Sequence, residues 1–523
     1  MPVSPYELTN APSQLDREFS RISAPRVQTS RDVTLRRDAS NTDSLDWYGS
    51  EDPDNPYNWP SRKKWIITAI AILATFTTLL NGTIITVAHE AINEEFGVSD
   101  ERFPNSYWPV TSWALGGAVC SLVVLPLMED FGIRAGFLLT YGVFICFVIP
   151  QAVAQNFATL IVSRFFSGGC VSILANTSAS VIGNIWEDER GRTIPMAFYV
   201  TAYLTGSSMG PVIGGIIFQS LGWRWISYMQ LIWYGGLAPV YFFFFVETRG
   251  SVVLQRRTKN KSKTHTEHRT LERQQEKPLL KKLSDSIRRP IYMLVTEPVV
   301  FVFTIWSAFM VGTVYLFTQS VEQVFAGLYG WNASQAGYVQ AAVVIGECIG
   351  WVGALISAKL YFASGSRNQE IPGSPIPEAR LYMSLVGSFV GVTGGMFVYG
   401  WTSYESLPWI APAIGLAMVG FGTNVVVIAI ADYVVDAYSK YAGSAVAAIV
   451  LGENIFAAFL PLAAQSMYTN LGFQWGSTLL GFLALVLSFA PVVIILFGRR
   501  IRARSPFMKE ATVDRAKNAP VLE

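Results

Sequence analysis

Twelve times along this chain a run of roughly 20 predominantly apolar residues recurs, the length an α-helix needs to cross the hydrocarbon of a bilayer. The runs lie near 66–87, 108–128, 134–154, 158–182, 194–218 and 225–246, then near 293–317, 335–359, 381–400, 408–431, 442–466 and 474–497. Inside hydrocarbon every backbone amide and carbonyl needs an internal partner, and for runs of this length the helix supplies it. The chain therefore reads as an all-α polytopic membrane protein: six spans, a long polar loop, and six more. Charged residues make up 15% of the 523, against about 25% in soluble domains, which leaves little for a water-exposed surface.

The charge that remains is segregated. Nine of the 39 Lys and Arg precede residue 65, thirteen fall between Arg249 and Arg289, and seven follow residue 498. With an even number of spans both tails share a side. Counting the loops, 36 basic residues lie on that side and two, Arg102 and Arg224, on the other. Basic loops stay cytoplasmic, so both termini and the central loop are expected there. The regions that follow are a mostly disordered tail (1–64), a first six-helix bundle (65–248), a basic linker (249–292), a second bundle (293–498) and a C-terminal tail (499–523). The four cysteines, Cys120, Cys146, Cys170 and Cys348, all lie in apolar runs and offer no disulfide framework. The first residues lack a charged stretch followed by an apolar core, so no cleaved signal peptide is expected.

Three ionisable side chains, Arg164, Glu347 and Glu453, fall deep within apolar runs. Each costs about 3 kcal/mol there on insertion scales, so each is expected to face a cavity or a partner. For the two glutamates both a proton-carrying role and a structural hydrogen bond to a neighbouring helix are consistent with the sequence. In "TGSSMGPVIGG", Gly206, Gly210 and Gly214 are spaced i, i+4, i+8 and form one flat groove where another helix can approach closely. Pro211 removes a backbone hydrogen bond beside them and bends the helix. Polar residues recur at mid-helix depth: Asn81, Asn176, Gln319, Gln340, Asn424 and Asn454. With Tyr203, Trp306 and Tyr315 they either line a cavity for an amphipathic molecule or tie helices together. Asn332-Ala-Ser is a glycosylation acceptor sequence in a short loop. No Gly-x-x-x-x-Gly-Lys-Ser/Thr is present, so ATP does not drive this chain directly. Nothing suggests a metal, a cofactor or nucleic acid.

These motifs, in order, resemble a known family. "GSSMGPVIGG" is similar to the fifth-helix antiporter motif of fungal major facilitator superfamily transporters of the twelve-helix drug:proton antiporter type, so that Gly206, Gly210, Pro211, Gly214 and Gly215 match it. "DPDNPYNWP", "SRFFSGG", "ERGRTIPMAFY", "GWRW", "DYVVDAYSKYAGSAVAA" and "GRRIRARS" resemble the same family, over residues 50 to 505. The loop "LPLMEDFGIR" departs from its pattern. Glu129 stands for the usual acid beside Asp130, and Gly132 and Arg134 remain, but Ile133 replaces an arginine. "VETRG" is similar to the signature of sugar porters without its proline and lysine.

The resemblance implies two bundles that rock about a midplane site. Arg164, matching the family's helix-4 arginine, would organise proton coupling with Glu347 or Glu453. Glu129 and Arg134 would form a gating latch, and the glycine groove is expected where the two halves close. It also implies a functional monomer in a lipid bilayer, taking protons and a small organic substrate, in the plasma membrane or alternatively the vacuolar membrane. Export of a drug or fungal secondary metabolite is the first expectation. Uptake of a sugar or other nutrient by symport or uniport is the alternative, and a receptor or scaffold that has lost transport is a third.

Overall fold

The computed structural model describes residues 52–100, 104–261, 279–368 and 373–509. Among the described residues there is no strand. The first bundle is α1 (Ser61–Thr83), α2 (Trp108–Phe131), α3 (Ile133–Ala152), α4 (Phe157–Ile185), α5 (Glu189–Leu221) and α6 (Trp223–Phe244). The second is α7 (Pro298–Tyr329), α8 (Ala341–Ala363), α9 (Pro377–Trp401), α10 (Ile410–Tyr438) and the continuous helical stretch Ala442–Arg504. That stretch holds two crossings, α11 and α12, joined at Gly472, whose φ of 80° and ψ of 165° are not helical. Ten of these helices are apolar and long enough to span a membrane when the last is counted once. Dividing it at Gly472 and adding the 22-residue, aromatic-rich α6 gives twelve.

Local chemistry sets the boundaries. Asn156 begins α4 by accepting the Thr159 amide at 2.8 Å, and Asp188 begins α5 by accepting that of Gly191 at 3.1 Å. α7 starts later than its apolar run because Pro298 cannot continue a helix from Glu297, so Leu279–Thr296 forms a separate amphipathic helix before it. Within α9, Gly387–Gly394 is π-helical.

Burial sorts the helices into two layers. Of α7's most apolar window 83% is buried, against 33% for α3. On the outer layer Leu139 and Phe243 expose 71% of their surface and Val486 and Leu496 69%. A water-soluble protein would hide such residues; here they meet lipid tails. The two bundles touch along α2 with α11 and α5 with α8.

Candidate substrate and gating site

A cavity of about 560 Å³ lies between the bundles at the end that carries the basic loops. Asn176 of α4, Arg192 of α5 and Asp432 of α10 are in its wall, and Val200 and Val450 close its deep end. One helical turn beyond them on α5 and α11 come Tyr203 and Glu453. Of the polar residues singled out from the sequence, Asn176 alone lines this cavity. Asn81, Trp306 and Asn424 are wholly buried instead, so one open chamber containing them all is not what forms.

The first bundle buries Arg164 completely and surrounds it with oxygen. Nε donates to the Pro109 carbonyl at 3.0 Å, Nη2 to the Gly82 carbonyl at 2.5 Å and Nη1 to the Asn81 carbonyl. The planar guanidinium thus ties α1, α2 and α4 together without a carboxylate. Asn81 continues the network: its Nδ2 donates to Gln230 Oε1 at 2.7 Å, and its Oδ1 accepts from Trp113 Nε1 at 2.9 Å and Ser167 Oγ at 3.3 Å. Gln151 donates to Ser167 Oγ at 2.9 Å.

The second bundle carries the acids. Glu347 of α8 accepts a hydrogen bond from Ser208 of α5 at 2.7 Å, across the interface between the bundles. Its other oxygen is buried with no partner. Glu453 of α11 accepts from Ser307 of α7 at 2.5 Å. Around them Trp306 Nε1, Thr313 Oγ1, Gln319 Oε1 and Asn424 Oδ1 are also buried and unpartnered. Two of the remaining candidates tie helices, Asn424 donating to Thr201 Oγ1 at 3.0 Å and Gln340 to the Phe317 carbonyl at 3.3 Å, whereas Asn454 donates within its own helix to the Val450 carbonyl at 2.9 Å. Tyr315 lies 3.3 Å from Ser207 Oγ, with its ring stacked on Trp113.

The glycine groove of α5 corrects an expectation. Gly206, Gly210 and Gly214 seat α1 of the same bundle, not the opposite half. A Cβ on Gly206 would lie 2.8 Å from the Phe76 carbonyl, and one on Gly210 would strike Thr83 Oγ1 and approach the Ile84 nitrogen to 2.8 Å. Helical spacing fixed which face was flat but not which neighbour it meets. Gly215 and Pro211 are the members that reach across. A Cβ on Gly215 would sit 3.0 Å from the Ser334 carbonyl, and the Pro211 carbonyl comes within 2.8 Å of a Cβ built on Gly337. Ser334 and Gly337 lie in the short helix Ala333–Val339, which Asn332 caps by accepting the Gln335 amide at 2.8 Å.

The side chains of Glu129 and Asp130 lie outside the described residues. Their expected partner, Arg134, donates to the Phe242 carbonyl at 3.0 Å. Glu247 of "VETRG" caps the start of α3 instead, accepting the Ile133 and Arg134 amides at 3.2 Å each. A Cβ on Gly132 would meet Glu247 Oε2 at 2.6 Å, so the loop and this acid fit only with glycine there.

At the cavity's rim a charged cluster joins the halves, and the sequence reading missed it. Arg380 of α9 pairs with Asp436 at 2.9 Å and Asp432 at 3.1 Å in α10, and with Glu189 of α5 at 3.2 Å. Tyr361 of α8 donates to Glu189 at 2.5 Å, with Arg380 over its ring. The i, i+4 aspartates inside an apolar run were the available signal.

Two close-packed bundles, a cavity between them at one end and charged contacts across that end define a membrane transporter. The chain belongs to the major facilitator superfamily, whose sequence profile matches residues 70–451. It is 33% identical to an MFS-type transporter of Aspergillus candidus over 89% of this chain and 91% of that one. It is 31% identical to a citrinin biosynthesis cluster MFS transporter of Monascus ruber (88% and 92%) and 30% identical to an efflux pump of Floropilus chiversii (88% and 85%). The human organic anion transporter MFSD10 has a similar fold, with a TM-score of 0.51 at 17% identity over 83% of this chain and all of that one.

Proposed function

We propose that this transporter exports an amphipathic organic compound, a drug or a fungal secondary metabolite, in exchange for protons. The observation that carries the reading is Glu347. One of its oxygens holds Ser208 across the bundle interface while the other is buried without a partner. A carboxyl so placed takes up or releases a proton at the joint that must part when the bundles rock. Glu453, one turn beyond the end of the cavity, is the second candidate carrier, and Arg164 organises the helices that face them. The relatives in biosynthetic clusters and the efflux pump support export of a metabolite. We place the chain in the plasma membrane, with the vacuolar membrane as the alternative, as a monomer with both termini cytoplasmic.

The test is purified full-length protein in vesicles, with efflux of a panel of amphipathic fluorescent dyes followed with and without an imposed pH gradient. Gradient-driven transport that Glu347→Gln uncouples from the gradient is the expected result. Wild-type transport indifferent to the gradient overturns antiport and leaves a uniporter. Tags at residues 10, 270 and 515 that differ in their protection would break the topology.

A further inference from the structure

At the end opposite the cavity, three potential metal ligands converge from both halves of the molecule. His89 and Glu90 follow α1 in the first bundle, and Glu322 belongs to α7 in the second. One ligand atom from each lies within 4.8 Å of the others. We propose that they form a site for a divalent transition metal such as Zn²⁺, which clamps this end shut.

The donor set selects the class of ion. One imidazole and two carboxylates suit zinc and its neighbours, whereas Ca²⁺ and Mg²⁺ prefer oxygen alone. Nδ1 of His89 is the nitrogen that faces Glu322, and it also lies 3.0 Å from the Thr86 carbonyl. Binding through Nδ1 exchanges that carbonyl contact for the metal and leaves the ring's proton on Nε2, the other tautomer of a neutral imidazole. Tyr107 packs against the ring at 5.7 Å between centroids, which limits its rotation. His89 Nδ1 is 3.4 Å from Glu322 Oε2, so the two halves already touch through these side chains. Glu90 is exposed and gives water and ions access. Zinc draws its ligands to about 2.0–2.2 Å, and rotation of the glutamates supplies the contraction.

A bound ion has a mechanical consequence. Its ligands come from opposite bundles, so it is held only while this end is closed. Rocking the bundles apart separates Glu322 from His89 and dissolves the site. The metal is therefore an inhibitor that selects one state.

The experiment uses the full chain without an affinity tag and Zn²⁺ as the probe. The background carries His265→Ala, His268→Ala, Cys146→Ser and Cys348→Ser, which removes the other histidines and the two exposed thiols. Calorimetric titration is expected to give one ion per chain and a raised melting temperature, with no response to Mg²⁺ at equal concentration. His89→Ala and Glu322→Gln should each weaken binding at least tenfold. Glu90→Gln, on an exposed side chain that the fold does not need, should weaken it several-fold. Binding that is unchanged in His89→Ala, or lost on making the background, overturns the site. Binding and melting do not depend on what is transported, so they stand apart from the export reading. In vesicles, zinc that binds with this stoichiometry yet leaves dye turnover unaltered overturns the clamp.

Discussion

The buried charges at the centres of the two bundles are held in different ways. In the first, Arg164 has all three guanidinium nitrogens bonded to carbonyls, and Asn81, Gln151 and Gln230 close the network around it. In the second, Glu347 has an oxygen with no partner, and Trp306, Thr313, Gln319 and Asn424 each leave a polar atom unbonded. A buried group that is fully bonded holds structure, and removing it leaves its partners stranded. A buried group with spare capacity costs stability at rest and is available to a proton or a ligand. The surroundings of Arg164 are built as a fixed wall and those of Glu347 as a responsive one.

The sharpest way to break this contrast is at Arg164. Arg164→Ala strands three carbonyls and opens a void, and should lower stability by about 3 kcal/mol or more. Arg164→Lys should be nearly as harmful, because one ammonium cannot span carbonyls on two helices. Thermal unfolding in detergent reads both, and a lysine variant close to wild type would show that the fork geometry is immaterial. Next in size is Gly210→Leu. The groove it fills has backbone behind it, so overpacking should cost about 1–3 kcal/mol. Gly236→Leu is the control, since nothing lies within 4 Å of its added Cβ. Equal losses from the two, seen as aggregation on size-exclusion chromatography, would remove the groove's special standing.

Glu347→Gln should change stability by less than about 1 kcal/mol, because the amide keeps an acceptor for Ser208 and the second oxygen had nothing to lose. Its effect belongs to coupling, not folding. If it unfolds the protein as Arg164→Ala does, the two charges are not held differently after all.

The smallest effect concerns the tail. Asp52 pairs with Arg257 at 2.7 Å, joining the segment before α1 to the helix Gly250–Lys261. The hydrogen bond from Arg257 holds the Asp52 carboxyl below its ordinary value of 3.8. A lowered carboxyl contributes stability that is complete above the ordinary value and lost only as pH falls through the lower folded one. Protease protection of the tail should thus be flat between pH 8 and 5, and fall modestly in Asp52→Asn at any pH in that range. A step near pH 6 would assign the contact to another group.

Much of this architecture was legible because hydrocarbon imposes a length. Twelve runs gave twelve crossings, and Arg164, Glu347 and Glu453 stood out because charge is rare at that depth. What could not be read was partnership. Glu189 meets Arg380 at a separation of 191 residues, and no local pattern announces it. Arg164's partners are backbone carbonyls, which every residue possesses. The face of the α5 glycines followed from their spacing, yet α1 as the neighbour that fills it did not. Gly132 was matched to a loop motif, while the acid packed against it, Glu247, lay in a different motif after α6.

The corners of the molecule have a practical consequence. The chain passes from α5 to α6 through Gly222 alone and from α11 to α12 through Gly472, each with positive φ and no intervening loop. Turns this short present no slack backbone for a protease to cut and no flexible peptide for an antibody to grip. On the same face the stretch from Thr402 to Trp409 is different, an irregular turn in which the Leu407 amide bonds the Tyr404 carbonyl. If this face is extracellular, as the proposed orientation has it, an epitope for reporting surface exposure belongs there, where inserted residues lengthen an existing turn, and not at either glycine corner, where they would pry two helices apart.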